Sequence, residues 1–141
     1  MKILILCTGN SCRSQMAHGI LQSLSEKITV CSAGTHPAIA VHPNAILVMH
    51  ELGLDISYHQ PVAVEAYLNE TWDYVITVCG GANENCPAFI GNVKNRLHIG
   101  FEDPADATGS KEEVLDTFRK IRNEILVDFF AFYNTMVKKH T

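Results

Sequence analysis

The sequence predicts an α/β protein: a single domain over residues 1–141, built as a four-stranded parallel sheet with helices on both faces. Three observations carry this expectation. Short runs of apolar and β-branched residues alternate with stretches of helical period, the pattern of an open parallel sheet. At 141 residues and 47% hydrophobic, the chain suits one well-buried core. The stretches richest in Cys, Gly and Asp follow Leu6, Val78 and Ile99. These are the carboxyl ends of three expected strands, where open α/β sheets bind their ligands.

The elements follow in order. Lys2-Leu6 is an unbroken apolar run after the lysine, a short buried strand. From about Ser14 to Leu24, Met16, Ile20 and Leu24 recur at four-residue spacing and predict a helix. A strand over Ile28-Ala33 is closed by Gly34. Pro43 opens a helix over Asn44-Leu52 that Gly53 ends, the expected asymmetry of Pro inside the start and Gly past the end. Val62-Leu68 reads as a further short helix, Tyr74-Val78 as the third strand and Arg96-Ile99 as a short fourth. From Ser110, Val114, Phe118, Ile121, Ile125 and Phe129 keep helical period to about Val137. Ser110 and Glu113 are spaced for a capping box at its start.

Composition excludes some partners. The net charge is −4 and there is no Lys/Arg stripe, which argues against nucleic acid. No stretch approaches the roughly 18 apolar residues of a membrane span. The four apolar residues after Lys2 are too few for a signal peptide, so a cytoplasmic location and no membrane partner are expected. Five cysteines are an odd number and more than packing requires. In a reducing compartment they point to catalysis or metal binding before structural disulfides.

CTGNSCRS, Cys7 to Ser14, is the most informative stretch. A strand, a glycine-bearing loop and a helix N-terminus together make an anion cradle. Loop N–H groups converge on the ligand, and the helix end adds roughly half a positive charge. Thr8, Gly9, Asn10, Ser11, Cys12, Arg13 and Ser14 are therefore the expected oxyanion-binding residues. Arg13 supplies a planar fork for two oxygens of a tetrahedral anion. Cys7 lies beneath the anion as nucleophile, where the same field favours its thiolate. Ser14 and Asn10 are placed to steady the sulfur or the loop.

CTGNSCRSQMA at the extreme N-terminus resembles the low-molecular-weight protein tyrosine phosphatase superfamily. Within it, the resemblance is closest to the arsenate reductases of the thioredoxin-coupled class. The phosphatases typically carry proline after CRS, where this chain has Gln15. SAG at Ser32-Gly34 fits as well, so the likeness spans essentially the whole chain.

Cys79 and Cys86 frame CGGANENC. Their spacing is too wide for a Cys-x2-Cys zinc knuckle, and no second such pair exists. Spacing alone leaves redox use, or two unrelated loop thiols, open. The resemblance implies redox use, because the reductases carry such a pair after the third strand. Reducing arsenate takes two electrons, and one recycled nucleophile cannot supply both. The resemblance thus implies a relay in which Cys7 attacks, Cys79 resolves and Cys86 completes a Cys79–Cys86 disulfide. Gly80-Gly81 would let that loop swing.

In GFEDPADA, Asp103 precedes Pro104 and is biased to an extended conformation. Taken locally it is an Asp-Pro turn, and both families place a general acid at this dipeptide. Glu102 and Asp106 are weaker candidates. Some reductases of this class bind potassium through an acid in the helix after CRSQMA. His18 stands there and Gln60-Pro61 departs nearby, so neither that site nor any other metal is expected. Histidines 36, 42, 50 and 59 have no helical ligand spacing and read as solvated loop residues. Cys12 is expected to be structural or protective, and Cys31 a core residue.

The expected function is reduction of arsenate to arsenite by a monomer without a bound cofactor. A small dithiol protein, thioredoxin or glutaredoxin in type, is the expected external reductant. A phosphomonoesterase acting on a phosphate-like substrate through Cys7, Arg13 and Asp103 is the nearest rival. A non-enzymatic oxyanion or redox sensor is the other.

Overall fold

In the computed structural model, residues 1–80 and 89–140 are described. β1 (Lys2–Cys7) and β3 (Thr71–Cys79) form the centre of the sheet. β2 (Thr29–Gly34) lies outside β1 and β4 (Asn92–Phe101) outside β3, so the order is β2-β1-β3-β4. Every pairing is parallel, as expected. The described residues form three α-helices: α1 (Arg13–Ser23), α2 (Pro43–His50) and α3 (Lys111–Phe132).

Strand alternation decides which of two cores each side chain of the central strands joins. The chain steps outward from β1 to β2, then returns across β1 to β3. The second connection serves both faces: Ala45, Val48 and Met49 of its helix α2 pack in the same core as α1 and α3, and its later 3-10 helix covers the other face. Ile3, Ile5 and Cys7 accordingly share one core with Met16 and Ile20 of α1 and Phe118, Ile121 and Ile125 of α3. Leu4 and Leu6, pointing the other way, pack with Trp72, Val75 and Phe89. A 3-10 helix, Val64–Tyr67, packs on that second cluster. Residues 3–6 are fully buried because both faces are covered, hence a run without polar alternation.

Two strands are longer than their apolar signal. β3 begins at Thr71, since Trp72 is fully buried and its indole N–H donates to the Tyr67 carbonyl at 3.1 Å. β4 runs over ten residues although Asn92, Lys94, Asn95 and Arg96 are exposed. As an edge strand it needs backbone pairing to β3, not an apolar run.

α2 ends at His50, two residues before the expected Leu52. Gly53 N–H closes the turn on the His50 carbonyl (2.9 Å), and Gly53 has φ +76°. His42 caps the start of α2, accepting the Asn44 N–H at 3.1 Å, and its ring lies 4.8 Å from that of Phe118. It is thus not the solvated loop histidine that its position suggests. Ser110 and Glu113 form the expected capping box on α3. Past Phe132 the coil loosens to a π-helical turn, Tyr133–Val137. Nearly buried Arg122 of α3 clasps α2, donating to the Val48 carbonyl (2.9 Å) and to Glu51 (2.6 Å).

β1 is the topological switch point, because its two neighbours are reached by crossovers of opposite direction. Cys7 is its last residue.

Candidate active site

The loop from Thr8 to Cys12 joins β1 to α1, and the segment behind it dictates its shape. Backbone N–H groups of His36, Ala38 and His42 donate to the carbonyls of Thr8, Gly9 and Ser11, each at 2.9 Å. A peptide plane carries its C=O and the following N–H on opposite sides. Anchoring these carbonyls outward therefore turns the N–H groups of Gly9, Asn10 and Cys12 toward the loop's interior. Asn10 makes the reversal at φ +52°, a left-handed conformation that asparagine tolerates better than most residues. Gly34 ends β2 against this loop. A Cβ there would stand 2.4 Å from the Thr8 carbonyl oxygen, so only glycine lets the two backbones meet.

Cys7 Sγ sits at the bottom of the loop, 2% exposed. It receives the Asn10 N–H at 3.1 Å and lies 2.9 Å from Ser14 Oγ. Asn10, itself fully buried, donates from Nδ2 to Ser14 Oγ (2.7 Å) and accepts the Val62 N–H at Oδ1 (2.9 Å). That leaves the serine hydroxyl proton to point at the sulfur. Both contacts aim a hydrogen at the sulfur.

Arg13 opens α1 and is 3% exposed. Nη1 donates to the Phe101 carbonyl at 3.0 Å, and Nη2 lies 3.6 Å from Asp103 Oδ2. Asp103 has the extended backbone expected before proline, φ −78° and ψ 112°, and caps the 3-10 helix Pro104–Asp106. Its Oδ1 accepts the Ala105 N–H at 3.0 Å. Its carboxyl is partly exposed, reaching from the end of β4 to the arginine of the loop. Glu102 and Asp106 are exposed.

The cysteines divide clearly. Cys12 is buried, and desolvation first of all pushes its thiol up to about 12, an unreactive state. Cys31 is half-buried on β2, its thiol also raised by burial. Cys79 ends β3, pairs with Phe101 across a β-bulge and is disulfide-bonded; Cys7, Cys12 and Cys31 are free. Gly80 continues along Phe101 so closely that a Cβ would lie 2.8 Å from the Phe101 nitrogen. Gly81 and Cys86 lie outside the described residues.

The fold thus brings Cys7, the loop residues 8–14, Asp103 and the end of β3 to one edge of the sheet. Sequence reasoning missed the anchoring of the loop by residues 36–42 and the contacts Gln15 makes behind it. Only Gly34, in the SAG triplet, hinted at the first. Among the described residues no cluster of His, Cys, Asp or Glu could hold a metal ion, and no helix is long and apolar enough to cross a membrane.

Comparison with known proteins agrees with this geometry. An arsenate reductase of Halalkalibacterium halodurans is 47% identical over 124 residues, 87% of this chain and 88% of that protein. One of Bacillus subtilis is 44% identical with the same coverage. A solved arsenate reductase in its phosphate-binding state superposes with a TM-score of 0.79 at 31% identity, covering 96% of this chain and 98% of the other. The family model for low molecular weight phosphotyrosine protein phosphatases matches residues 2–140, and the chain belongs to that family.

Proposed function

We propose that the protein reduces arsenate to arsenite. The observation that carries this reading is the meeting of two features at neighbouring strand ends. One is an oxyanion loop with a hydrogen-bonded sulfur; the other is a disulfide-forming cysteine. β1 and β3 are adjacent and parallel, with Leu6 opposite Thr77. Cys79 thus stands one residue beyond the level of Cys7. Alternation puts Val78 on the face of Cys7 and Cys79 on the opposite one, so the end of β3 must turn over before the two sulfurs meet. A phosphomonoesterase has no use for a second cysteine there.

In this reading arsenate occupies the loop, gripped by Arg13 and by the inward N–H groups. The Cys7 thiolate attacks arsenic, and Asp103 donates a proton to the oxygen that leaves as water. Cys79, as a thiolate in the reduced enzyme, then attacks the Cys7 sulfur. The As–S bond breaks, its electron pair stays on arsenic, and arsenite departs, leaving a Cys7–Cys79 disulfide. Cys86 attacks Cys79 and frees Cys7. The Cys79–Cys86 disulfide is reduced by an external dithiol protein of the thioredoxin or glutaredoxin type. The enzyme acts as a monomer in the cytoplasm.

The test is arsenate-dependent NADPH consumption through thioredoxin and its reductase, with arsenite counted per enzyme. Hydrolysis of an aryl phosphate is measured alongside. Turnover on the ester with none on arsenate would convert the reading to a phosphatase. Thiol oxidation without turnover on either would leave a sensor.

A further inference from the structure

Behind the loop, beside α1, lies a cavity of about 600 Å³ whose lining includes Gln15, His18, Ser32, Asp55, Tyr58 and His59. Two imidazoles stack there: the rings of His18 and His59 have centroids 4.5 Å apart and planes inclined by 35°. His59 Nδ1 is 2.9 Å from Gln15 Oε1. Gln15 Nε2 in turn donates to the Asn10 carbonyl (3.1 Å) and the Gln60 carbonyl (3.3 Å), and the residue is 1% exposed. Carbonyls only accept, so the amide nitrogen must face them and the amide oxygen must face the histidine. His59 therefore donates from Nδ1.

This chain of contacts reaches a sensitive point. The carbonyls of Thr8, Gly9 and Ser11 are anchored by backbone N–H groups, whereas that of Asn10 is held by a side chain. The same peptide plane carries the Ser11 N–H on its opposite side. Holding the Asn10 carbonyl outward thus aims the Ser11 N–H inward, at the left-handed residue where the loop reverses.

The pair is built to stay neutral. Burial lowers both imidazoles, His18 to about 4 with the His59 charge adding to the effect; for His59 the Asp55 carboxylate partly opposes it. The other titratable groups facing the cavity are Tyr58 beside His59, Cys31 from β2 and Tyr67 from the 3-10 helix. His18 Nδ1 is tied to Ser32 Oγ at 2.9 Å.

We propose that Gln15 and His59 are positioning residues for oxyanion binding: His59 Nδ1–H orients the Gln15 amide, which clamps the Asn10 carbonyl, with His18 as the stacking partner that holds the His59 ring. The inference rests on the reading of the loop as a tetrahedral-oxyanion site. Sulfate is the suitable probe, because it remains a dianion throughout the accessible pH range. Its Kd is measured by calorimetry at pH 7.5 for the full chain and for Gln15→Met, His59→Phe and His59→Asn, with a Tm for each.

Gln15→Met and His59→Phe should weaken sulfate at least fivefold and raise the arsenate KM in parallel, with kcat changed less than twofold. His59→Asn, whose amide nitrogen can stand near Nδ1, should return affinity to within about twofold of the parent. Sulfate binding by His59→Phe equal to the parent's would overturn the inference, as would His59→Asn binding no better than His59→Phe. Should His59→Phe not fold, an unchanged Kd for Gln15→Met overturns it equally. Failure of the parent itself to bind sulfate would instead overturn the oxyanion reading of the loop.

Discussion

Cys7 and Cys12 stand five residues apart in one loop and are almost equally buried, 2% and 3% exposed. Their surroundings differ in kind. Cys7 receives a backbone N–H and touches the hydroxyl of Ser14, whereas Cys12 has Ser11 Oγ at 3.7 Å and otherwise packs with the apolar core. Burial alone disfavours a thiolate. What separates the two thiols is the set of hydrogen-bond donors aimed at the Cys7 sulfur. The loop reversal at Asn10 and the first turn of α1 supply those donors.

That contrast breaks most sharply at the sulfurs themselves. Cys7→Ser should reduce arsenate turnover by at least 10³-fold, as loss of a nucleophile does, while Cys12→Ala should keep it within about threefold. Equal losses for the two variants, read in the coupled NADPH assay, would erase the distinction. Next in size is Arg13→Lys, which removes the fork but keeps the charge. A drop of about 10²-fold in kcat/KM is expected, about 2.7 kcal/mol of transition-state binding. A change under threefold would mean the geometry of the fork does not matter.

The donors can be tested apart from the sulfur. Asn10→Ala should cost about 2 kcal/mol of stability and weaken sulfate, because it strains the left-handed residue and removes the bonds to Val62 and Ser14. Asn10→Gly, which relieves only the strain, should recover part of the Tm but not the affinity. Gly34→Ala, with its clash against Thr8, sharpens the same point from outside the loop. Loss of sulfate affinity there would show that β2 shapes the site.

A last test concerns pH. His18 has its pKa depressed from 6.5 to about 4 in the folded protein, chiefly by burial. Between those values the unfolded chain binds the extra proton and the folded one does not. Stability from this group is therefore complete above about pH 6.5 and lost as pH falls towards 4, by up to about 3 kcal/mol. Chemical denaturation at pH 7.5 and 5 should show the loss, and His18→Phe should flatten it. An unchanged slope in His18→Phe would assign the dependence to other groups.

Much of this was readable from local chemistry. Cys7, Arg13 and Asp103 stand in patterns whose physics is short-range: a helix start, a guanidinium fork, a residue before proline. The buried strand Lys2–Cys7 and the capping box at Ser110 depend on near neighbours, and they appear where expected. β4 was largely hidden, because an edge strand is specified by its partner and not by its own apolar content. His59 was misread as a solvated loop residue, since its partners Gln15 and His18 are more than 40 positions away.

The sequence by itself determined a parallel sheet whose first strand ends in a cysteine, followed by a glycine-bearing loop and a helix that opens on an arginine. Each follows from period, spacing or residue type within about ten positions. Only the tertiary structure decided which way the loop's peptide planes turn, which cysteine receives donors, and what stands behind Asn10. Those outcomes depend on β2, the 36–42 segment and the turn carrying His59 converging on one loop. Contacts between segments so far apart leave no periodic trace in the chain, because each partner is also a plausible surface or loop residue on its own.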